Sequence, residues 1–275
     1  VLSSLPTKCY PNMFLALTAA ENPEMKAIAR VSPNRTLAEI NLAIDTVYGI
    51  QSRNVEQRMA LELLMDPSVS IVTLVGQAGT GKTLLALAAG LHLVQREHLY
   101  DRILVSRPIV PLGKDIGYLP GNKEEKLSHW MEPIFDNLDY LLRKHLPDLP
   151  PSGAKKQPKL LSPQERITQL LDTDTLELEA LTYIRGRSIS KQFIIIDEAQ
   201  NLTPHEVKTV VSRAGEGSKV ILTGDPYQID NPYLDASSNG LIYAAERMKE
   251  LPLHGHVTLH QSERSLLAAA AAKYL

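Results

Sequence analysis

The chain has 275 residues, of which 44% are apolar, and its formal net charge is −2. This length and composition suit one large globular domain with at most a small appendage. The near-neutral charge excludes a global positive field, so any contact with nucleic acid depends on local basic patches. The single cysteine excludes an internal disulfide and indicates a reducing compartment, so we expect a cytoplasmic protein. The apolar runs are too short to span a bilayer, and we expect no membrane association.

The first fifty residues differ in character from the rest. Residues 1–50 carry prolines at positions 6, 11, 23 and 33, which predicts a small appendage or linker of short strands. The sequence begins at Val1 without a methionine or a secretion signal, so we expect a piece of a longer chain. We expect one larger domain over residues 51–275. A second proline-rich stretch, 146–165, predicts a surface loop or insertion.

The larger domain alternates helical segments with short, fully apolar strands. This alternation indicates a mainly parallel sheet that is flanked by helices on both faces. Each of four strands ends in a polar motif, and in open α/β sheets ligands bind outside the carboxyl ends of the strands. The predicted elements are helices over Val55–Met65, with Asn54 as N-cap, and Thr83–Arg96, and strands over Ile71–Val75, Ile103–Val105, Phe193–Ile196, Val220–Leu222 and Val257–Leu259.

The first polar motif, GQAGTGKT, fits the phosphate-binding pattern G-x-x-x-x-G-K-[ST] at every constrained position. A strand lies directly before it and a helix directly after it, as such a loop requires, because the backbone N–H groups and the helix N-terminus together attract phosphate. Lys82 is expected to reach the β- and γ-phosphates, and the hydroxyl of Thr83 to bind Mg²⁺. The expected nucleotide-binding residues are Gly76, Gln77, Ala78, Gly79, Thr80, Gly81, Lys82 and Thr83.

Two adjacent acids follow the apolar strand FIII. Asp197 stands where a Walker-B aspartate belongs and is expected to hold Mg²⁺, directly or through water. Glu198 is expected to orient and deprotonate the attacking water. The alternative is a pair of acids that caps the next turn. A third motif, LTGDPYQ, offers Asp225 and Gln228 as sensors of the γ-phosphate, and an ordinary Gly-Asp-Pro turn is an equally good interpretation.

The order of GQAGTGKT, DEAQ and TGDPYQ resembles the first motor domain of superfamily 1 helicases. Three further stretches narrow the resemblance: SRPIVPLGKDIGYLPGNKEEK at 106–126, YIRGR at 183–187 and QSERS at 261–265. Over roughly residues 45–275 the chain resembles the ATPase domain of the PhoH family, in the version that follows a PIN ribonuclease domain. No stretch before residue 50 has the length or the spaced acids of a PIN domain, so we assign no ribonuclease activity to this chain.

The resemblance implies a RecA-like P-loop NTPase core that uses ATP and Mg²⁺, assembles as a hexameric ring and acts on single-stranded RNA. In that family pattern Gln57 looks like a glutamine that reads adenine, although an exposed helix glutamine is the alternative. Gln228 would sense the γ-phosphate. Gln200 would couple the site to the strand-binding face.

Superfamily 1 helicases have a second motor domain that closes the ATP site with arginines, and we expect no such domain within these 275 residues. An arginine must then come from a neighbouring subunit or from the last helix of the chain itself. Arg264 is the first candidate, because Ser262 looks like the N-cap of a helix. Arg185 and Arg187 are further candidates, and a local salt bridge is the alternative role for Arg264.

A loop with basic and aromatic residues follows the strand Ile103–Val105. Such a loop suits contact with a single-stranded backbone and stacking on bases, although its acids also permit a subunit contact. The candidate nucleic-acid contacts are Arg107, Lys114, Lys123, Lys126 and, from the DEAQ motif, Gln200. The histidines at 254, 256 and 260 alternate, but without a cysteine or tight spacing they do not predict a zinc site.

The leading functional hypothesis is an ATPase motor that acts on RNA and feeds a strand to a nuclease. The alternative is a regulatory or assembly module in which ATP controls the oligomeric state without translocation. A small-molecule kinase is disfavoured, because Glu198 beside Asp197 favours activation of water.

Overall fold

A computed structural model describes residues 9–19, 22, 24, 26–40, 46–108, 130–145, 161–181 and 188–263. Within these residues the elements are β1 (Phe14–Thr18), β2 (Lys26–Val31), β3 (Leu37–Glu39), β4 (Thr46–Val47), β5 (Ile50–Gln51), α1 (Val55–Met65), β6 (Ile71–Gly76), α2 (Lys82–Gln95), β7 (Arg102–Arg107), α3 (Glu132–Lys144), α4 (Pro163–Asp172), β8 (Leu176–Ala180), β9 (Gln192–Ile196), α5 (Pro204–Val211), β10 (Lys219–Gly224), α6 (Gly240–Met248) and β11 (His254–Leu259). In the described part of the chain, no helix is long and apolar enough to cross a membrane.

The six strands from β6 to β11 form one sheet in the order β11-β6-β10-β9-β7-β8, and every neighbouring pair is parallel. All six carboxyl ends therefore lie at one edge of the sheet. Strand β10 lies between β6, which leads into the phosphate-loop motif, and β9, which leads into the acidic pair. The expected α/β core with a parallel sheet flanked by helices is confirmed.

Each face of the sheet packs against helices. On β6, Val72 and Leu74 belong to a buried cluster that also contains side chains of α1, α2 and α3. Ile71 and Val75 point to the other face, into a second cluster with side chains of α5 and α6. Because side chains on both faces are buried, the central strands β6, β9 and β10 are mostly apolar at successive positions, whereas β8 at the edge of the sheet alternates leucine with glutamate.

The helices and strands that the sequence predicts in this core are present; α1 has the predicted ends, and the ends of the others differ by at most three residues. The prediction of a loop over 146–165 is wrong at its end, because α4 begins at Pro163. Ser162 is its N-cap, and the side chain of Glu165 reciprocates by accepting from the N–H of Ser162, so that the two residues form a capping box. Residues 146–160 lie outside the described residues. Strand β8 and helices α3 to α6 were not predicted as separate elements.

The N-terminal part contains short strands, as expected. Strands β1, β2 and β3 form an antiparallel sheet. The hairpin β4–β5 instead packs with the larger domain, because Val47, Tyr48 and Ile50 lie in the same buried cluster as α1 and α2. The hydroxyl of Tyr48 donates to Gln95 Oε1 at the end of α2, at 2.7 Å. Residues of this hairpin also line a cavity that reaches the phosphate-loop motif.

Candidate nucleotide and metal site

The phosphate loop connects the end of β6 to the first residue of α2. Gly81, directly before the helix, has φ +95°, a left-handed conformation that favours glycine. Thr80 is buried, and its hydroxyl donates to the carbonyl of Gln77 across the loop, at 2.9 Å. Helix α2 has no side-chain N-cap, so its first N–H groups are open to the loop. The loop thus has the tight turn and the helix N-terminus that phosphate binding needs.

Lys82 is folded back onto the loop that precedes it. Its Nζ donates to the carbonyls of Gly76 and Gln77 at 2.6 and 3.0 Å. Its side chain also lines a cavity of about 280 Å³ together with Thr83, Asp197 and Glu198. An ammonium at this position can exchange carbonyl oxygens for phosphate oxygens without crossing a packed core.

Two hydroxyls meet on one oxygen of Asp197. Thr83 Oγ1, at the start of α2, and Thr223 Oγ1, near the end of β10, each donate to Asp197 Oδ1 at 2.7 Å. These two hydrogen bonds bring together the carboxyl ends of three strands. Thr83 follows β6 through the phosphate loop, Asp197 directly follows β9, and Thr223 lies near the end of β10. Hydroxyl and carboxylate oxygens are ligands that Mg²⁺ prefers, so the donor set of Thr83 and Asp197 fits the expected ion. The sequence assigned no role to Thr223.

Glu198 is held by two partners and by an unusual backbone conformation. Its φ is 55° and its ψ 38°, a left-handed conformation that is strained for a residue with a Cβ. Gln200 Nε2 donates to Glu198 Oε2 at 2.6 Å. Arg107 Nη2 lies 3.4 Å from Glu198 Oε1, and Arg107 Nε lies 3.3 Å from Asp197 Oδ2. Both carboxylates of the acidic pair therefore share one guanidinium.

Gln200 links the acidic pair to the third motif. Its side chain is fully buried; Oε1 accepts from the N–H of Asp225 at 3.1 Å, and Nε2 donates to the carbonyl of Gln228 at 2.9 Å. A Cβ at Gly224 would overlap Gln200 Oε1, which explains the glycine at the end of β10. Gln228 is exposed and lines the same 280 Å³ cavity as Lys82. Its role as a phosphate sensor stays a prediction.

A larger cavity of about 870 Å³ adjoins the phosphate loop on the side of the β4–β5 hairpin. Gly79 and Gly81 line it, and so do Gln57, Tyr140 of α3 and Glu263. Its volume suits a small organic ligand such as a nucleoside. The two cavities share part of the phosphate loop and so together offer space for a nucleotide.

Gln57 is buried, with 5% of its surface exposed, and not the exposed helix glutamine of the alternative interpretation. Its Nε2 donates to the carbonyl of Thr80 at 3.0 Å, and its Oε1 accepts from the N–H of Arg53 at 2.9 Å. The side chain therefore ties α1 to the phosphate loop at the wall of the larger cavity. Its expected reading of adenine stays a prediction.

The last described residues cross the phosphate loop. The N–H of Glu263 donates to the carbonyl of Gly79 at 3.0 Å. His260 N–H donates to Glu56 Oε2 at 2.7 Å, so the same segment is also fixed to the start of α1. Arg264 and the helix expected after Ser262 lie outside the described residues, as do Arg185 and Arg187.

The residues proposed for nucleic-acid contact are only partly described. Lys114, Lys123 and Lys126 lie outside the described residues. The side chain of Arg107 is 14% exposed and turns towards the carboxylates, and Gln200 is buried. The structure thus gives both residues a place within the candidate catalytic site, and neither presents a free surface to a strand. The sequence had placed Arg107 at the end of a strand, which was the available signal for a site residue.

The histidines of β11 are also accounted for. His254 Nε2 and His256 Nδ1 lie 3.0 and 2.7 Å from the hydroxyl of Thr73 on β6. Burial lowers the pKa of His254 to about 4, and burial also lowers the pKa of His256. We therefore expect both rings to be neutral at pH 7 and to help hold β11 against β6.

Comparison with known proteins identifies relatives over most of the chain. The family model described as PhoH-like protein matches residues 49–273. Protein PhoH2 of Bacillus subtilis is 51% identical over 268 residues, which cover 97% of this chain and 57% of that protein. Protein PhoH2 of Thermobispora bispora is 38% identical over 250 residues, which cover 90% of this chain and 52% of that protein. The chain thus spans a little over half the length of these relatives.

Two solved structures give weaker likenesses. The SWI2/SNF2 ATPase core of Sulfolobus solfataricus in complex with dsDNA has 17% identity and a TM-score of 0.40, over 80% of this chain and 47% of that one. The Pif1 helicase of Candida albicans has 17% identity and a TM-score of 0.36, over 77% of this chain and 40% of that one. At these scores the likenesses say nothing about substrates or partners.

Proposed function

The chain belongs to the PhoH family, whose members have a helicase-like P-loop ATPase core. On that premise we propose that it hydrolyses ATP with Mg²⁺. We further propose that it couples hydrolysis to single-stranded RNA in a ring-shaped homo-oligomer. One observation carries the ATPase part of this proposal. Thr83 of the phosphate loop donates to Asp197 at 2.7 Å, and Glu198 follows directly. A metal-binding oxygen pair and a candidate base thus lie at the same cavity as Lys82.

The residues divide the chemistry among themselves. Lys82 contacts the β- and γ-phosphates, after leaving the carbonyls that it contacts in the structure. Thr83 and Asp197 hold Mg²⁺, which neutralises charge on the phosphates when bound. Glu198 orients a water molecule and accepts its proton. Gln228 faces the same cavity and senses the γ-phosphate.

The larger cavity takes the nucleoside. Gln57 lies at its wall and connects it to the phosphate loop through the carbonyl of Thr80. The contacts with Thr80 and Arg53 use one of the two N–H donors of Gln57 Nε2 and one of the two acceptor sites of its Oε1, so the second donor and the second acceptor site can read the N7 and N6 edge of adenine.

The RNA and ring parts of the proposal rest on the resemblance and on where a few residues stand in the sequence. The loop 106–126 is proposed to contact RNA through Lys114, Lys123 and Lys126. Arg264 is proposed to complete the ATP site of a neighbouring subunit. In the full-length protein we propose that a PIN ribonuclease domain precedes this ATPase domain and receives the strand.

The experiment that tests the proposal measures ATP turnover and molecular mass on the same sample, with and without single-stranded RNA. We expect Mg²⁺-dependent hydrolysis, an oligomer of defined size and a faster rate at saturating RNA. Hydrolysis that RNA leaves unchanged, with no RNA binding at low salt, would support the regulatory or assembly module instead. Full activity of a monomer at low concentration would contradict the ring.

A subunit-mixing experiment tests the arginine. Arg264→Ala is expected to bind ATP normally and to lose at least about a hundredfold in turnover, since an arginine finger contributes about 10³–10⁵. Adding Glu198→Gln subunits should restore part of the activity, because each mutant supplies what the other lacks. Turnover close to that of the unmodified chain in Arg264→Ala would remove this residue from the site.

A further inference from the structure

Arg107 is the one described cation that contacts both members of the acidic pair. It is the last residue of β7, two strands away from β10 and one from β9. Its Nε lies 3.3 Å from Asp197 Oδ2, and its Nη2 lies 3.4 Å from Glu198 Oε1. The side chains of Arg107 and Asp197 are 14% and 6% exposed, so water screens this ion pair less than it screens surface pairs. The Glu198 side chain is 39% exposed, so water screens its pair with Arg107 more strongly.

The guanidinium is also held by Trp130. Arg107 Nη1 donates to the carbonyl of Trp130 at 2.9 Å, and the guanidinium carbon lies 6.0 Å from the centre of the indole ring. Arg107 therefore contacts a carbonyl, an aromatic ring and two carboxylates. Such an arrangement restricts the rotamers of a long side chain, and the restriction is passed on to its partners.

The orientation of the Glu198 carboxylate depends on this restricted position of Arg107. Its backbone is in the left-handed region, and its carboxylate has one oxygen on Gln200 and the other beside Arg107. Without Arg107, one oxygen loses its partner and the carboxylate can rotate about its side-chain bonds. A candidate base works only within hydrogen-bond reach of the water that it activates, so rotation costs turnover without changing the phosphate loop.

We propose that Arg107 is a positioning residue for ATP hydrolysis: its guanidinium fixes the carboxylate of Glu198, and it does not bind nucleic acid. This inference rests on the proposed ATPase activity. It replaces the nucleic-acid role that the sequence suggested for this arginine. It assigns to the end of β7 a part in catalysis, next to the parts played by the ends of β6, β9 and β10.

The chain offers a matched control on the same strand. Arg102 is the first residue of β7 and also forms an ion pair, with Glu177 at 3.4 Å, but it lies at the opposite edge of the sheet. Arg102→Met removes an ion-paired arginine from β7 without touching the candidate site. Any loss that follows from weakening the strand itself should appear in both variants.

The test separates turnover from binding. Arg107→Met is expected to lower kcat at least tenfold and to change the Kd of a non-hydrolysable ATP analogue less than threefold. Arg107→Lys should recover part of kcat, because an ammonium restores the charge but not the forked contact with two carboxylates. Arg102→Met should keep kcat within twofold. If Arg107→Met does not fold by circular dichroism, Arg107→Gln makes the same comparison.

Three results overturn the inference. The first is a kcat within twofold of the unmodified chain in Arg107→Met. The second is a loss of analogue affinity as large as the loss of kcat, which indicates a damaged fold. The third is an equal loss in Arg102→Met. Failure of the proposed function looks different, because the unmodified chain itself would then release no phosphate from ATP.

Discussion

Two buried lysines lie at opposite edges of the same sheet and bind backbone in the same way. Lys82 donates to the carbonyls of Gly76 and Gln77, and Lys219 donates to the carbonyls of Leu63 and Asp66, all within 3.0 Å. Lys82 begins a helix at the carboxyl edge. Lys219 begins strand β10 at the amino edge and contacts carbonyls at the end of α1.

Their surroundings make the two lysines different. Lys82 is 9% exposed and lines a cavity, whereas Lys219 is 1% exposed and is enclosed by packed elements. Burial lowers the pKa of Lys219 to about 7, and the nearby Asp66 only partly offsets this effect. Lys82 can exchange its carbonyl partners for a ligand and so can contribute to binding. Lys219 is enclosed and cannot exchange them, so it contributes to the stability of the fold. Hydrogen bonds from a lysine Nζ to two backbone carbonyls therefore belong to the candidate ligand site at the carboxyl edge and stabilise the packing of elements at the amino edge.

The amino edge is also where the N-terminal sheet docks. Asn12 Nδ2 donates to the carbonyls of Pro252 and His254, and its Oδ1 accepts from Arg30 on β2. Arg30 in turn lies 2.6 Å from Asp66 Oδ2, near the lysine. This buried polar network joins the small sheet, α1 and β11 without reaching the nucleotide site.

The largest expected effect comes from exchanging the lysines one at a time for methionine. Lys82→Met should raise the Kd of a non-hydrolysable ATP analogue by at least about a hundredfold, because the phosphates lose a charged donor. Lys219→Met should leave this Kd within twofold. Titration of both purified variants with the analogue measures the two Kd values. Normal affinity in Lys82→Met would show that the loop is not the phosphate site.

A smaller effect is expected in the free energy of unfolding, and here Lys219→Met should lose more than Lys82→Met. Lys219→Met leaves the carbonyls of Leu63 and Asp66 without this donor and should lower the free energy of unfolding by about 1–3 kcal/mol. Lys82→Met should lower it less, because water in the cavity can replace the lost contacts. Urea denaturation of the ligand-free proteins measures both. Equal stability of Lys219→Met and the unmodified chain would show that the hydrogen bonds of Lys219 do not stabilise the fold.

The smallest effect concerns pH and follows from the lowered pKa of Lys219. In the unfolded chain this lysine titrates near its ordinary value of about 10.4, so above pH 7 the unfolded state binds more protons than the folded state. Stability from this group therefore rises with pH between about 7 and 10, by at most about 1.4 kcal/mol per pH unit. The stability difference between the unmodified chain and Lys219→Met should widen from pH 7 to pH 8.

That widening is measured by urea denaturation at the two pH values in the same buffer. Asp66, Arg30 and the carbonyls at the end of α1 face the lysine from the elements around it, and they are unchanged in the variant. A difference that narrows as the pH rises would mean that Lys219 is more easily protonated in the fold than in the unfolded chain.

The carboxyl edge could be predicted from the sequence because its residues lie in short local motifs. GQAGTGKT fixes a strand, a turn and a helix start within eight residues, and FIIIDEAQ places the acids at the end of a buried strand. The structure brings Thr83 onto Asp197 across 114 positions of sequence, as the shared edge of a parallel sheet requires.

The amino edge and the role of Arg107 could not be predicted in this way. Lys219 meets α1 only because β10 lies next to β6, and no local pattern encodes that neighbourhood. Arg107 reaches the acids because β7 pairs with β9, a contact set by strand order. Helices α4 and α5 did have a local signal, since Ser162 and Thr203 each begin a capping box with a proline directly after the cap.

We propose that the carboxyl edge is an ATP-hydrolysing site in which Glu198 activates water. The most direct test measures phosphate release from Mg²⁺·ATP and the affinity for ATP in the unmodified chain and in Glu198→Gln. We expect unchanged affinity and a fall in turnover of about 10²–10⁴, the usual contribution of a positioned base. Turnover in Glu198→Gln equal to that of the unmodified chain would contradict this proposal.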